Sequence, residues 1–103
     1  MYNIVMVCQY GASTDLVANR MRQYAEKNNI DIVVNAYPES SLDSYIDEAD
    51  VVLLAPQIRF RRKSLEERYQ SKGVKFLDIN TRYYGMLDGE HIIEDVLKVL
   101  NCK

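Results

Sequence analysis

Five consecutive residues, Val51-Val52-Leu53-Leu54-Ala55, restrict the fold of this chain more than any other feature. The run carries no polar alternation, so it does not suit a strand with one face in water. A strand covered on both faces accommodates it, and such strands belong to parallel sheets. The rest of the chain alternates strand and helix patterns, as parallel strands joined by helical crossovers require. Residues 3–7 read as a buried strand around Ile4-Val5-Met6-Val7. Residues 15–28 read as a helix with Val17, Met21, Tyr24 and Ala25 on one face, ended by Asn28-Asn29. Ile30 to Val34 form a second strand. Ser40-Ser41 is expected to cap a short helix whose inner face is Leu42, Tyr45, Ile46 and Ala49.

After the central run, Ser64-Leu65-Glu66-Glu67 has capping-box spacing and predicts a third helix reaching about Ser71. Val74 to Ile79 give a fourth strand. Asp88-Gly89 opens a last helix with Ile92, Ile93, Val96, Leu97 and Leu100 as its buried stripe. The order β-α-β-α-β-α-β-α, with right-handed crossovers, predicts a small α/β fold. It is a four-stranded parallel doubly wound sheet with helices on both faces. Sites in such folds lie at the carboxyl ends of the strands. The loop after Val7, the loop after Val34, Pro56 to Lys63, and Asn80 to Gly89 are therefore expected near one another.

The loop after the first strand carries the chemistry: Cys8-Gln9-Tyr10-Gly11-Ala12-Ser13-Thr14-Asp15. A cysteine stands where a strand ends, and a Gly/Ser/Thr loop turns back into a helix. Backbone N–H groups in such a loop make an anion-binding concavity, and the helix N-terminus adds its positive dipole end. A thiolate is stabilised there, and the same cradle holds a phosphoryl group attached to sulfur. Gly11 lets the backbone approach an anion closely. The amides from about Tyr10 to Thr14 and the hydroxyls of Ser13 and Thr14 are the candidate donors. One of these two hydroxyls is also expected to cap the helix.

Composition narrows the function classes. At 103 residues, 48% hydrophobic and 27% charged, the chain fits one globular domain. A net charge of -2 without a basic stripe speaks against nucleic-acid binding. No apolar run approaches the roughly 20 residues of a membrane span, and Met1-Tyr2-Asn3 lacks a charged signal region. A soluble cytoplasmic protein is expected. The two cysteines, Cys8 and Cys102, stand at opposite ends and make no disulfide framework. Cys102 reads as an incidental thiol. No metal-ligand cluster is visible, and no cofactor is expected.

The Cys8 loop resembles that of the low-molecular-weight tyrosine phosphatases, in which a cysteine is followed after five residues by an arginine. Here the arginine position is Thr14, and no Asp-Pro segment supplies a general acid. Without those groups a cysteinyl phosphate would persist until a specific acceptor arrives, as in a relay carrier.

Over nearly its whole length the chain resembles the IIB components of the bacterial sugar phosphotransferase system, in the lactose/cellobiose/chitobiose group. The resemblance rests first on the strand followed by Cys8, Gly11, Ser13 and Thr14. It rests next on Val51-Val52-Leu53-Leu54-Ala55-Pro56-Gln57-Ile58, and third on Tyr84-Gly85-Met86-Leu87-Asp88-Gly89. It implies a single IIB-type phosphocarrier domain over residues 1–103. It also implies that Cys8 takes a phosphoryl group from the phosphohistidine of a IIA protein. Cys8 then passes it to a sugar presented by the membrane IIC permease, the expected sugar being a β-linked disaccharide such as cellobiose, chitobiose or lactose. The protein would be cytoplasmic, meeting the inner face of the membrane transiently through IIC. Gln9-Tyr10, Ala12 and Asp15 depart from the family's usual residues.

Gln9, Tyr10, Gly11, Ala12, Ser13 and Thr14 are thus the expected phosphate cradle around Cys8. Arg59, Arg61, Arg62 and Lys63 form a basic cluster that reads either as a solvated loop or as a surface for an acidic partner. Gln57 and Tyr84 are candidates for the pocket or for shaping its loops. His91, the single histidine, is expected to face solvent without a phosphoacceptor role. Two other function classes stay open on the residues alone: a phosphatase-like hydrolase, and a non-enzymatic redox or regulatory thiol module.

Overall fold

The first strand, β1 (Tyr2–Cys8), lies inside the sheet, and its middle residues Ile4 to Val7 are shut off from solvent. The computed structural model describes residues 2–9 and 12–101, without the side chains of Ala12 and Ser13. Tyr10 and Gly11 of the expected cradle, and Cys102, lie outside the described residues. After β1 come α1 (Ala12–Lys27), β2 (Ile32–Pro38), a one-turn α2 (Leu42–Tyr45), β3 (Val51–Leu54) and α3 (Arg62–Arg68). Then follow β4 (Lys75–Asp78), a short α4 (Thr81–Gly85) and α5 (Gly89–Asn101). The sheet runs in the order β2-β1-β3-β4, and every pairing is parallel. This is the doubly wound sheet that the sequence predicts.

The two faces are filled by alternate residues of the central strands. Ile4, Met6, Val51 and Leu53 pack under α1 and α5, against Val17, Met21, Ile92, Ile93 and Val96. Val5, Val7, Val52 and Leu54 face the other side, against Leu42, Ile46, Ile58, Leu65 and Tyr69. Burying each of these Leu or Val side chains contributes about 1.5–3 kcal/mol. Tyr37 of β2 stacks on Tyr45 of α2, with ring centroids 3.6 Å apart, and pins α2 to its face.

Several boundaries differ from the sequence reading, each for a physical reason. β2 begins at Ile32 rather than Ile30 because the Ile30 amide closes the end of α1, donating to Ala25 O at 2.9 Å. Asn29, with φ 56°, makes the left-handed turn there that asparagine tolerates. β2 then runs on to Pro38 beside Cys8, where proline, lacking an N–H, ends the ladder. Neither expected serine cap forms. Ser41 continues out of a 3-10 turn over Glu39–Ser41 and makes no capping bond. Ser64 lies inside α3, which grows directly from 3-10 turns over Pro56–Arg61 and so has no free N-terminus to cap at that point. The segment Asn80 to Gly89, expected as a connection, contains α4, with Asn80 Oδ1 accepting from the amides of Arg82 (2.9 Å) and Tyr83 (3.2 Å). The buried stripe of α5 is Ile92, Ile93 and Val96, with Leu97 and Leu100 half-covered at its edge.

Candidate active site

Cys8 closes β1 at the carboxyl end of the sheet and is 4% exposed. Its side chain packs on the face of α2 and α3. The Thr14 hydroxyl, fully buried, donates to Cys8 Sγ at 3.3 Å. Thr14 stands in the first turn of α1, whose opening amides have no carbonyl within their own helix to bond. A sulfur, a hydroxyl and the start of a sixteen-residue helix thus converge on one point. Asp15, in the same turn, faces solvent, where it favours the helix dipole.

Beside this point opens a cleft of about 310 Å³ lined by Gln9, Glu39, Ser40, Ile58, Phe60 and Arg61. The lining comes from the loops after β1, β2 and β3, so three of the four expected segments meet here. Arg61 makes a two-pronged pair with Glu39: Nε donates to Oε1 at 3.1 Å and Nη2 to Oε2 at 3.0 Å. That hydrogen bonding, and then the Glu39 charge, hold the Arg61 guanidinium above its ordinary pKa.

The basic cluster separates into different environments. Arg62 turns to β4, donating to Asp78 Oδ2 at 3.1 Å, and also reaches Glu66 at 3.4 Å. Arg59, Lys63 and Gln57 are exposed. Tyr84, in α4, is half-buried and packs against both core clusters at the edge of the sheet. Among the described residues, Gln57, Arg59, Arg62 and Tyr84 do not line the cleft, whereas Gln9 and Arg61 do. His91 is about half exposed; its Nδ1 lies 2.6 Å from Asp88 Oδ2, and the Tyr83 ring stacks on it. Sequence reasoning missed Glu39. The only sequence signal for it was its position directly after Pro38 at a strand end.

The family model described as "PTS system, Lactose/Cellobiose specific IIB subunit" matches residues 3–95. The chain belongs to that family, the sugar-specific IIB subunits of the phosphotransferase system. It is 27% identical over 97% of both chains to the oligo-beta-mannoside-specific EIIB component of Bacillus subtilis. It is 26% identical over 95% of both chains to the cellobiose-specific EIIB component of Lactococcus lactis. The solution structure of the cellobiose-specific IIB component of Borrelia burgdorferi is similar at TM-score 0.80 and 40% identity, over 97% of this chain and 92% of that one. The lactose-specific IIB domain of Streptococcus pneumoniae shares the fold at TM-score 0.85 and 16% identity, covering 94% and 95%. Among the described residues no helix is long and apolar enough to cross a membrane.

Proposed function

We propose that Cys8 is a phosphoryl carrier between a IIA phosphohistidine and a sugar held by a IIC permease. The observation that carries this reading is the Thr14 hydroxyl donating to Cys8 Sγ at the start of α1. In the first step the Cys8 thiolate attacks phosphorus. The P–N bond to the donor histidine breaks, its electron pair goes to the imidazole nitrogen, and an S–P bond forms. In the second step a sugar hydroxyl attacks the same phosphorus. The S–P pair returns to sulfur, and the hydroxyl proton leaves to a base on the acceptor side. Both steps depend on positioning and on neutralising phosphoryl charge.

In this reading the amides of Gln9, Tyr10, Gly11, Ala12, Ser13 and Thr14, with the Ser13 and Thr14 hydroxyls, hold the phosphoryl oxygens. Thr14 in place of an arginine favours a carrier over a hydrolase. The sugar is a β-linked disaccharide of the cellobiose, chitobiose or lactose type, in keeping with the cellobiose- and lactose-specific relatives. The protein works in the cytoplasm as one phosphocarrier domain over residues 1–103 and visits the membrane through IIC. Exposed Arg59, Phe60 and Lys63, with Gln57 beside them, offer a partner surface next to the cleft.

The test is intact mass after incubation with phosphoenolpyruvate, the general phosphotransferase proteins and a matched IIA. A gain of one phosphoryl group is expected, lost in Cys8→Ser and lost when IIA is omitted. No gain with several IIA proteins of this group would overturn the reading.

A further inference from the structure

The contact between Glu39 and Arg61 has a particular place in the sheet. Cys8 is the register partner of Pro38, so Glu39 is the first residue past the ladder on one side of β1. On the other side Val7 pairs with Leu54, and the chain leaves β3 through Pro56–Arg61. Because β1 lies between β2 and β3, the segments that carry Glu39 and Arg61 leave the sheet on either side of the carboxyl end of β1, where Cys8 stands. Both side chains line the same cleft as Gln9, the residue next to Cys8.

We infer that Arg61 is the cation that meets the phosphoryl group on Cys8, and that Glu39 is the resting partner it gives up. This rests on the carrier reading of Cys8. In the resting protein the guanidinium and the carboxylate cancel. A phosphoryl group on Cys8 brings up to two further negative charges to the same cleft. Carboxylate and phosphoryl oxygens both fit the planar fork of an arginine, so the two anions compete for one cation. The more highly charged competitor prevails, and Glu39, 27% exposed, turns to water. The guanidinium missing from the Cys8 loop at Thr14 thus comes from the neighbouring strand's loop. Being shared, it steadies the phosphoryl group without belonging permanently to it, which suits a group that must be passed on.

The test compares alkylation of Cys8 by iodoacetate, an anion, with alkylation by iodoacetamide, a neutral reagent of similar size. The full chain is used, and the Cys8 peptide is read by mass. The ratio of the two rates removes differences in exposure and needs no partner protein. Glu39→Gln is expected to raise the ratio about fivefold, and Arg61→Gln to lower it about fivefold, for one unit charge near the sulfur. The double variant is expected to return to the wild-type ratio. The same proteins are then phosphorylated through the relay. Arg61→Gln is expected to slow the gain of phosphate, and Arg61→Lys to restore part of it. An equal ratio in all four proteins would overturn the inference. So would slower phosphorylation of Arg61→Gln with an unchanged ratio, which would assign Arg61 to partner docking. A wild-type chain that takes no phosphate overturns the carrier reading itself, a result distinct from either.

Discussion

Thr14 occupies the position that an arginine fills in a cysteine phosphatase loop, and its hydroxyl hydrogen goes to the sulfur. A hydrogen bond to a charged acceptor is worth about 1.5–3 kcal/mol, more than one to a neutral group, so it steadies the charge that sulfur carries in the proposed phosphoryl transfer. Replacing the buried hydroxyl by a methyl group, in Thr14→Val, is therefore expected to slow phosphorylation of Cys8 through the relay about tenfold. Thr14→Ser is expected to stay close to wild type. Equal rates in the wild type and Thr14→Val would show that the hydroxyl does nothing for the sulfur. Cys8 and Thr14 were legible in the sequence because they lie six positions apart on one strand-loop-helix segment. The Glu39–Arg61 pair was not. Its members are separated by 22 positions and meet only because the register sets Pro38 against Cys8.

The contact between α1 and α5 turns on one residue. A Cβ at Gly89 would lie 2.6 Å from the Arg20 carbonyl carbon and 2.7 Å from the Met21 nitrogen, both backbone atoms. The helices approach as closely as they do because nothing projects there. Gly89→Ala is expected to cost about 2–3 kcal/mol, read from the midpoint of urea unfolding. Gly85, in the same motif, has nothing within 4 Å of a built Cβ. Gly85→Ala is expected to stay within about 0.5 kcal/mol of wild type. The left-handed residue of this stretch is Leu87, φ 53°, whose side chain packs against the core. The sequence marked the motif but not which glycine the packing needs, since that depends on the path of α1. Strands and long helices were legible because their apolar periodicity reports the faces they bury. The serine caps were misread because 3-10 turns run into α2 and α3 without leaving a free end.

At the scale of the molecule, stability should depend on pH through the start of α5. The His91 amide, and then its ring, bond to Asp88 and hold that carboxyl below its ordinary 3.8. The Asp88 hydrogen bond, with the charges of Asp88, Glu94 and Glu90, raises His91 above its ordinary 6.5 against a smaller opposing effect of burial. The Asp88 contribution is complete above 3.8 and is lost as pH falls through the lowered folded value. The His91 contribution is complete below 6.5 and is lost as pH rises through the raised folded value. Together they favour the folded state most between those limits. The stability advantage of wild type over His91→Gln is expected to be larger near about pH 5.5 than near about pH 8.5, as urea midpoints would show. An advantage independent of pH would remove the pair from the account. The overall architecture was the most legible level, because an apolar run such as Val51 to Ala55 admits few neighbours. The candidate site was only partly so, since three separate loops build its cleft. The segment leaving β3 is tied down at Ala55 and Ile58, while Gln57, Arg59 and Phe60 between and beyond them face outward. On the carrier reading proposed above, those outward side chains can be exchanged without disturbing the buried sulfur, so whom the molecule greets and what it conveys are set by separate residues.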